Sequence, residues 1–262
     1  MLKRTFIHLP GVGHRREGHF WRQGLNTWED FLAARRIRGL SPERLEWLKE
    51  DLAASLDHLE DAAYFAARLQ AGEHWRLFRH FRPRAAYLDI ETTGTVWPGL
   101  LVTVVGLYDG RQMHQFVQGY NLQEFPQILD EFDLLVTFNG TQFDLPVLRA
   151  YFPELRLPPA HVDLRFLLAR LGFKGGLKKI EPRFGIRRPD EVNGMDGYMA
   201  VLLWERYQRG DRSALERLLT YNREDVVNLE VLMEAAFRMS REQLWPARPG
   251  GRDYARPPHP GV

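Results

Sequence analysis

The sequence contains no cysteine, which excludes a disulfide framework, a thiolate nucleophile and any cysteine-based zinc site. Long apolar runs are missing too. Arg or Lys interrupts every stretch that approaches the ~18 apolar residues of a membrane span, so no membrane association is expected. The opening Met1 to Pro10 has a basic start but lacks the apolar stretch and small-residue cleavage site of a signal peptide. A cytoplasmic protein is expected. Nor does one sign of charge dominate: 36 Lys and Arg face 34 Asp and Glu, a net charge of +2. What is plentiful is ordinary globular material, 44% hydrophobic and 27% charged over 262 residues. That suffices for a sizeable core in one large domain or two modest ones, and excludes disorder over the whole length.

Local signals divide the chain into four parts. Residues 1–82 read as helical. Thr27-Trp28-Glu29-Asp30 looks like an N-cap with an acidic first turn. Ser41-Pro42-Glu43 is a stronger start, with Pro at the first helical position. After it, Leu45, Leu48, Leu52, Leu56, Leu59, Ala63, Ala66 and Leu69 recur at spacings of three and four, predicting one long helix that closes near Gly72. We divide this region into a segment 1–39 and a helical connector 40–82. Residues 83–240 form the third part and 241–262 a Pro-, Gly- and Arg-rich tail expected to be disordered.

Around Pro83 the period changes. Ala86 to Glu91 and Leu100 to Tyr108 read as strands, Asp109-Gly110 as a two-residue hairpin turn, and Met113 to Val117 as its antiparallel return. A short helix over Leu122 to Asp130, a strand Leu134 to Phe138, a helix Gln142 to Tyr151 and a strand His161 to Leu164 follow. Beyond them the pattern is helical, ending with Ser213 to Met239. The fold class predicted is α/β. A mixed, ribonuclease H-like sheet starts with three antiparallel strands, continues with parallel ones, and is flanked by helices after a small all-helical region.

Three acidic fragments carry the chemistry. In Leu88-Asp89-Ile90-Glu91-Thr92-Thr93 the two carboxylates share one face of the strand, with Ile90 on the other. Side by side on a buried strand they repel unless a cation neutralises them, and hard divalent ions suit such oxygen-rich sites. In Phe138-Asn139-Gly140-Thr141-Gln142-Phe143-Asp144, a strand ends and a helix opens on Asp144. In Tyr221-Asn222-Arg223-Glu224-Asp225, Tyr221 and Asp225 lie four apart on one helical face. Singly, each also fits a solvated strand end, an ordinary helix start, or a packing Tyr beside a solvated Asp.

Taken together, the fragments resemble the three motifs of the DEDD superfamily of 3′–5′ exonucleases: Asp-x-Glu, then Asn with Phe-Asp four residues on, then Tyr-x-x-x-Asp. Tyr221 at the head of the third motif places the chain in the tyrosine subgroup. Asn139-Gly140, His161-Val162-Asp163-Leu164 and Tyr221-Asn222 look most like the YprB-type bacterial family, over about residues 84–239. The resemblance implies that Asp89, Glu91, Asp144 and Asp225 bind two divalent ions, Mg2+ or Mn2+, ~3.5–4 Å apart. It implies further that Tyr221, a poor base at its ordinary pKa near ~10, orients the attacking water. The products would be nucleoside 5′-monophosphates cut from a single-stranded 3′ end. Thr92, Asn139 and Phe143, within the motifs, are assigned to nucleic-acid contact. Asp163 is read as an N-cap and His161 as structural. The readings left beside this one are a structure-specific endonuclease and a catalytically silent nucleic-acid-binding module.

Two basic features complete the reading. Arg170 to Arg188 carries Lys174, Lys178, Lys179, Arg183, Arg187 and Arg188 against the single acid Glu181. Cations near an acidic cluster suit a polyanion held for cutting, and a solvated helix face is the alternative. Gly175-Gly176 does not follow a strand, so no dinucleotide cofactor is expected. Leu9-Pro10-Gly11-Val12-Gly13-His14 resembles the hairpin of a helix-hairpin-helix motif, in which Gly11 and Gly13 would expose backbone N–H groups to a phosphate. Arg15, Arg16 and Arg22 would add charge; a purely structural tight turn is the alternative.

Overall fold

The protein is described by a computed structural model covering residues 1–94 and 100–244. The N-terminal third is helical. It comprises α1 (His14–Arg22), α2 (Trp28–Ala33), α3 (Pro42–Asp57), α4 (Ala62–Arg68) and the short α5 (Phe78–Phe81). Helix α2 opens with the expected cap, now seen as a capping box in which Thr27 and Asp30 satisfy each other's backbone N–H. Helix α3 starts at Pro42, with the Ser41 hydroxyl accepting from the Arg44 N–H.

The single long helix expected from Leu45 to Leu69 is instead two. The chain turns at 58–61, and Asp61 caps α4 by accepting from the Tyr64 N–H at 3.0 Å. The break shifts the buried face: Leu45, Leu48, Leu52 and Ser55 are buried in α3, but Ala62 and Phe65 in α4, with Ala63 exposed.

A five-stranded sheet follows, β1 (Ala85–Thr92), β2 (Val102–Tyr108), β3 (Met113–Val117), β4 (Leu134–Thr137) and β5 (Ala160–Asp163), in the order β3-β2-β1-β4-β5. The first three strands pair antiparallel, and β4 and β5 add in parallel. This is the mixed sheet predicted. The β2–β3 hairpin is one residue out of the expected position. Asp109 donates its N–H to the Gln112 carbonyl, so Gly110 and Arg111 are the central residues. Gly110 takes φ 88°, while the Asp109 carboxylate accepts from both Arg111 and Gln112 N–H.

Strand alternation divides the sheet cleanly. Ala86, Leu88 and Ile90 pack with Val105, Leu135 and the helices α6 (Phe125–Leu129) and α7 (Asp144–Tyr151). Ala85 and Tyr87 face the other way, into a cluster shared with Leu134, Val136, α8 (Leu164–Arg170) and the N-terminal helices back to Leu2. Apolar packing therefore runs without interruption from residues 1–82 into the sheet.

Between α8 and the last helices the expected helical pattern is mostly turns, interrupted by the four-residue α9 (Leu177–Ile180) and a 3-10 turn over Glu181–Phe184. Gly172, Gly175, Gly185 and Gly194 all take positive φ there, which explains why a helix does not persist. Helix α10 (Gly197–Gln208) precedes α11 (Arg212–Leu244), whose 33 residues cross the sheet face that carries Asp89 and Glu91. Residues 241–244, assigned to the tail by composition, belong to α11; 245–262 lie outside the described residues. Among the described residues no helix is long and apolar enough to cross a membrane.

Candidate active site

The site lies where α11 crosses β1. Apolar clusters flank it along the helix: Leu218 and Tyr221 pack with Val104 and α10 on one side, and Val226, Leu229 and Leu232 with the N-terminal helices on the other. Between them Asp89, Glu91 and Asp225 each bring a carboxylate oxygen within 4.8 Å of the other two. Glu91 and Asp225 are buried and Asp89 partly so. Asp144, the fourth acid expected in the ligand set, is buried beside this trio but turned to the strand backbone. Its Oδ1 accepts from the Ile90 N–H at 3.2 Å.

Crowded acids in a dry seam resist ionisation. Burial, then the neighbouring Asp144, Asp225 and Glu91 charges, pushes the Asp89 carboxyl well above the usual range. Glu91 is pushed up by burial and by Asp225. Burial raises Asp144 to about 7, and raises Asp225 against the pull of Arg188 and Lys178. The Glu91 Oε1 atom is buried without a hydrogen-bond partner. An all-oxygen donor set holding excess negative charge and an orphaned acceptor fits a hard divalent cation.

Close packing places these groups. Asp89 pairs across the sheet with Gly106, and a Cβ on Gly106 would lie 2.2 Å from Asn222 Oδ1. The missing side chain lets fully buried Asn222 seat α11 on the strands, where its amide donates to the Asp89 carbonyl at 3.4 Å. Gln115 of β3 donates to the Leu219 carbonyl at 2.8 Å and to Asn222 Oδ1 at 3.3 Å. The β4–α7 turn is equally tight. Asn139 has φ 68°, and a Cβ on Gly140 would meet Thr137 Oγ1 at 2.3 Å. Asp163 caps α8 as expected by accepting from Arg165 N–H, and it also accepts from the N–H groups of Asn139 and Thr141. It thereby holds the turn that presents Asp144. His161 contacts Thr137 Oγ1 at 2.9 Å, and burial lowers its pKa to about 4.

Tyr221 is 3% exposed on the same seam. Burial and the neighbouring carboxylates drive its phenol far above its ordinary pKa. The Lys178 ammonium donates to the Tyr221 hydroxyl, lies 4.2 Å from its ring centre, and sits 3.9 Å from Asp225 Oδ2.

The other contact residues expected from sequence are spread more widely. Thr92 donates its hydroxyl to the Gly94 carbonyl, and the Asn139 side chain accepts from Arg165 at 2.6 Å. Phe143 packs on the core beneath α7. Lys174 and Lys179 are exposed, and Arg183 lies over the Phe173 ring at 4.3 Å.

Arg188, which sequence reading counted only as part of a charge run, enters the site itself. Its guanidinium bridges Glu181 at 2.6 and 2.7 Å to Asp225 at 2.5 Å. Asn228 secures Glu181 from behind at 3.0 Å. The signal for this network was a polar line, Asn222, Asp225 and Asn228, on the buried face of a helix otherwise lined mostly by apolar side chains such as Leu218, Val226, Leu229 and Leu232.

Residues 86–237 match a family model described as the RNase_H superfamily. The chain belongs to the ribonuclease H superfamily. Among solved structures it is similar to the family B DNA polymerase from Pyrobaculum calidifontis, at 18% identity over 58% of this chain and 24% of that one, with a TM-score of 0.48. It is similar also to NrnC from Brucella melitensis, at 19% identity over 63% and 77% of the two chains, with a TM-score of 0.44. A third is RNase D from Escherichia coli, an exoribonuclease involved in structured RNA processing, at 20% identity over 65% and 47%, with a TM-score of 0.42. The ribonuclease H-like chain thus spans less than two thirds of both the polymerase and RNase D. No curated protein matches it.

Proposed function

We propose that the protein is a two-metal-ion 3′–5′ exonuclease of the tyrosine subgroup, YprB-like in its motifs, that hydrolyses single-stranded DNA or RNA to nucleoside 5′-monophosphates. The observation that carries this reading is the convergence of Asp89, Glu91 and Asp225 in a buried seam beside Asp144 and Tyr221. These four acids would hold the ions. Bound magnesium or manganese would supply a nucleophile of lowered pKa and stabilise charge on the leaving 3′-oxygen.

The remaining work falls to the chain. Tyr221 keeps its proton at any physiological pH, so it orients the attacking water by hydrogen bonding rather than removing a proton from it. Lys178 and Arg188 place positive charge at the same edge, where a phosphodiester would lie. Lys174, Lys179 and Arg183 extend that charge toward the incoming strand.

The test is a cleavage time course on 5′-labelled DNA and RNA with magnesium, manganese or EDTA, beside circular and 3′-blocked strands. We expect a metal-dependent ladder shrinking from the free 3′ end. Asp89→Asn should lose several kcal/mol of transition-state stabilisation, about a thousandfold in rate. Cutting of the circle would make the protein an endonuclease. Binding without cleavage under either metal would leave a silent nucleic-acid-binding module.

A further inference from the structure

We infer that the N-terminal helical region carries a second anion site, a groove that grips the phosphodiester backbone of the nucleic acid away from the carboxylates. The inference rests on the nuclease reading for the identity of the polyanion, and on the following observations for the site.

The positive charge of this chain is concentrated at one end. Residues 1–39 hold eight Lys and Arg against three acids, whereas the whole chain has 36 against 34, so the remainder is net acidic. One of the three acids, Glu17, is buried against Arg76. The surface of this region is therefore more cationic than its composition.

Four of those eight cations line a concavity of about 740 Å³ between the turn at Gly11, helix α1 and the turn at Gly39. His14, Arg15, Arg16, Arg22 and Arg38 contribute to its wall, and no Asp or Glu does. The cations divide into two sets. Arg16 donates to the Gly11 carbonyl at 2.6 Å and Arg44, from α3, to the Pro10 carbonyl at 2.5 Å, so both are occupied in fixing the turn. Arg38 is held in place through its backbone. Its N–H donates to Gln23 Oε1 at 2.9 Å, and its carbonyl contacts His19 Nε2 at 3.0 Å. Among the described residues, the side chains of Arg15, Arg22 and Arg38 have no ion pair. These three guanidinium groups are mounted on a rigid frame and left for a ligand.

The backbone is prepared for the same purpose. Gly13 is the N-cap of α1 and makes no side-chain cap, so no capping side chain covers the His14 and Arg15 N–H groups, while those of Arg16 and Glu17 donate to the Gly13 carbonyl at 3.0 Å. A Cβ at Gly13 would meet nothing within 4 Å, so that edge is open to close approach. The sequence-based analogy with a helix-hairpin-helix stops here. Ahead of the turn stands only a three-residue 3-10 segment, Leu2–Arg4, and the far wall is the unrelated Gly39 turn. Phe20, the one Phe, Tyr or Trp in the lining, is buried and cannot stack on a base. Charge without stacking rings fits sequence-independent backbone contact.

Binding is measured with a labelled homopolymer of about 30 nucleotides in EDTA, so that nothing is cut and the salt slope reports phosphate contacts. Replacing Arg15, Arg22 and Arg38 together by Gln should weaken binding at least ~10-fold and reduce the slope of log K on log salt by about 2. The matching triple Lys variant should keep the slope. A Gln variant of unaltered melting temperature and unaltered slope overturns the inference. Equal competition by polyglutamate overturns the phosphodiester assignment.

Failure of the nuclease reading looks different. In that case the wild type would cleave neither the homopolymer nor a dinucleotide with manganese, while the arginine dependence of binding persisted.

Discussion

Asp225 is held from two sides by cations of the same chain, Arg188 at 2.5 Å and Lys178 at 3.9 Å, and this shapes how the acidic seam responds to its surroundings. Arg188 cannot be exchanged lightly. Its side chain is 5% exposed and anchored on the equally buried Glu181, so Arg188→Ala would strand two carboxylates in a dry seam. We expect a loss of about 3–5 kcal/mol in a denaturant melt. In the metal-free protein the raised carboxyls retain protons that the unfolded chain has already released. The stabilisation from those protons is present at low pH and is lost as pH rises through the folded values, about 7 for Asp144. A divalent cation must displace the same protons and relieves the same repulsion. The rise in melting temperature on adding manganese should therefore be larger at pH 8 than at pH 6. A pH-independent rise would show that the cation binds elsewhere. Tyr221→Phe should slow single-turnover cleavage without altering that manganese-induced rise.

The elements are positioned by close approaches that leave no room for a methyl group. Gly106→Ala would drive a Cβ to within 2.2 Å of Asn222 Oδ1 and push α11, with Asp225 and Tyr221, off the sheet. Overpacking of this kind costs about 1–3 kcal/mol. We expect cleavage to fall further than stability, read from rate and melt on the same sample. The strands were legible because Leu88 to Glu91 alternates apolar and acidic residues and Val102 to Val105 is a β-branched run, and the three acidic motifs because their spacing fits strand and helix periods. The break at 58–61 was not, since Leu56 and Leu59 continue the three-four spacing across a turn that Asp61 caps. The hairpin slipped by one residue because the Asp109 carboxylate ties down the next two N–H groups, moving the turn onto Gly110 and Arg111. Arg188 escaped notice because its partners, Glu181 and Asp225, converge only when the irregular 171–196 segment folds back on α11.

At the scale of the whole molecule, one buried ion network ties the backbone at Phe6 and helix α1 to the 3-10 segment Ala71–Leu77. Arg76, fully buried, donates to Glu17 at 2.9 and 3.0 Å and to Glu73 at 2.7 Å, while Glu17 also accepts from the Phe6 N–H at 2.7 Å. Arg76→Ala should cost about 3–5 kcal/mol, and the pair Arg76→Met with Glu17→Gln should recover part of it, because the Glu17 charge is then removed with its partner while Glu73 keeps its pair with Arg170. Burial lowers His8 to about 3 from an ordinary 6.5. The unfolded chain then binds the proton more readily, so this contribution to stability is whole above about pH 6.5 and drains away as pH falls toward 3. Subtracting the melting profile of His8→Gln from that of the wild type should expose that slope.

The apolar packing that runs from Leu2 through the sheet to Phe237 has a mechanical consequence. It joins the proposed cationic groove and the carboxylate seam through one core, so the two would act as fixed ends of a ruler. On the proposed function, a strand long enough to reach both would be gripped while it is cut, and one that has become too short would be gripped once. The shrinking ladder should therefore change pace at one fixed length, set by the width of the protein rather than by the sequence of the strand.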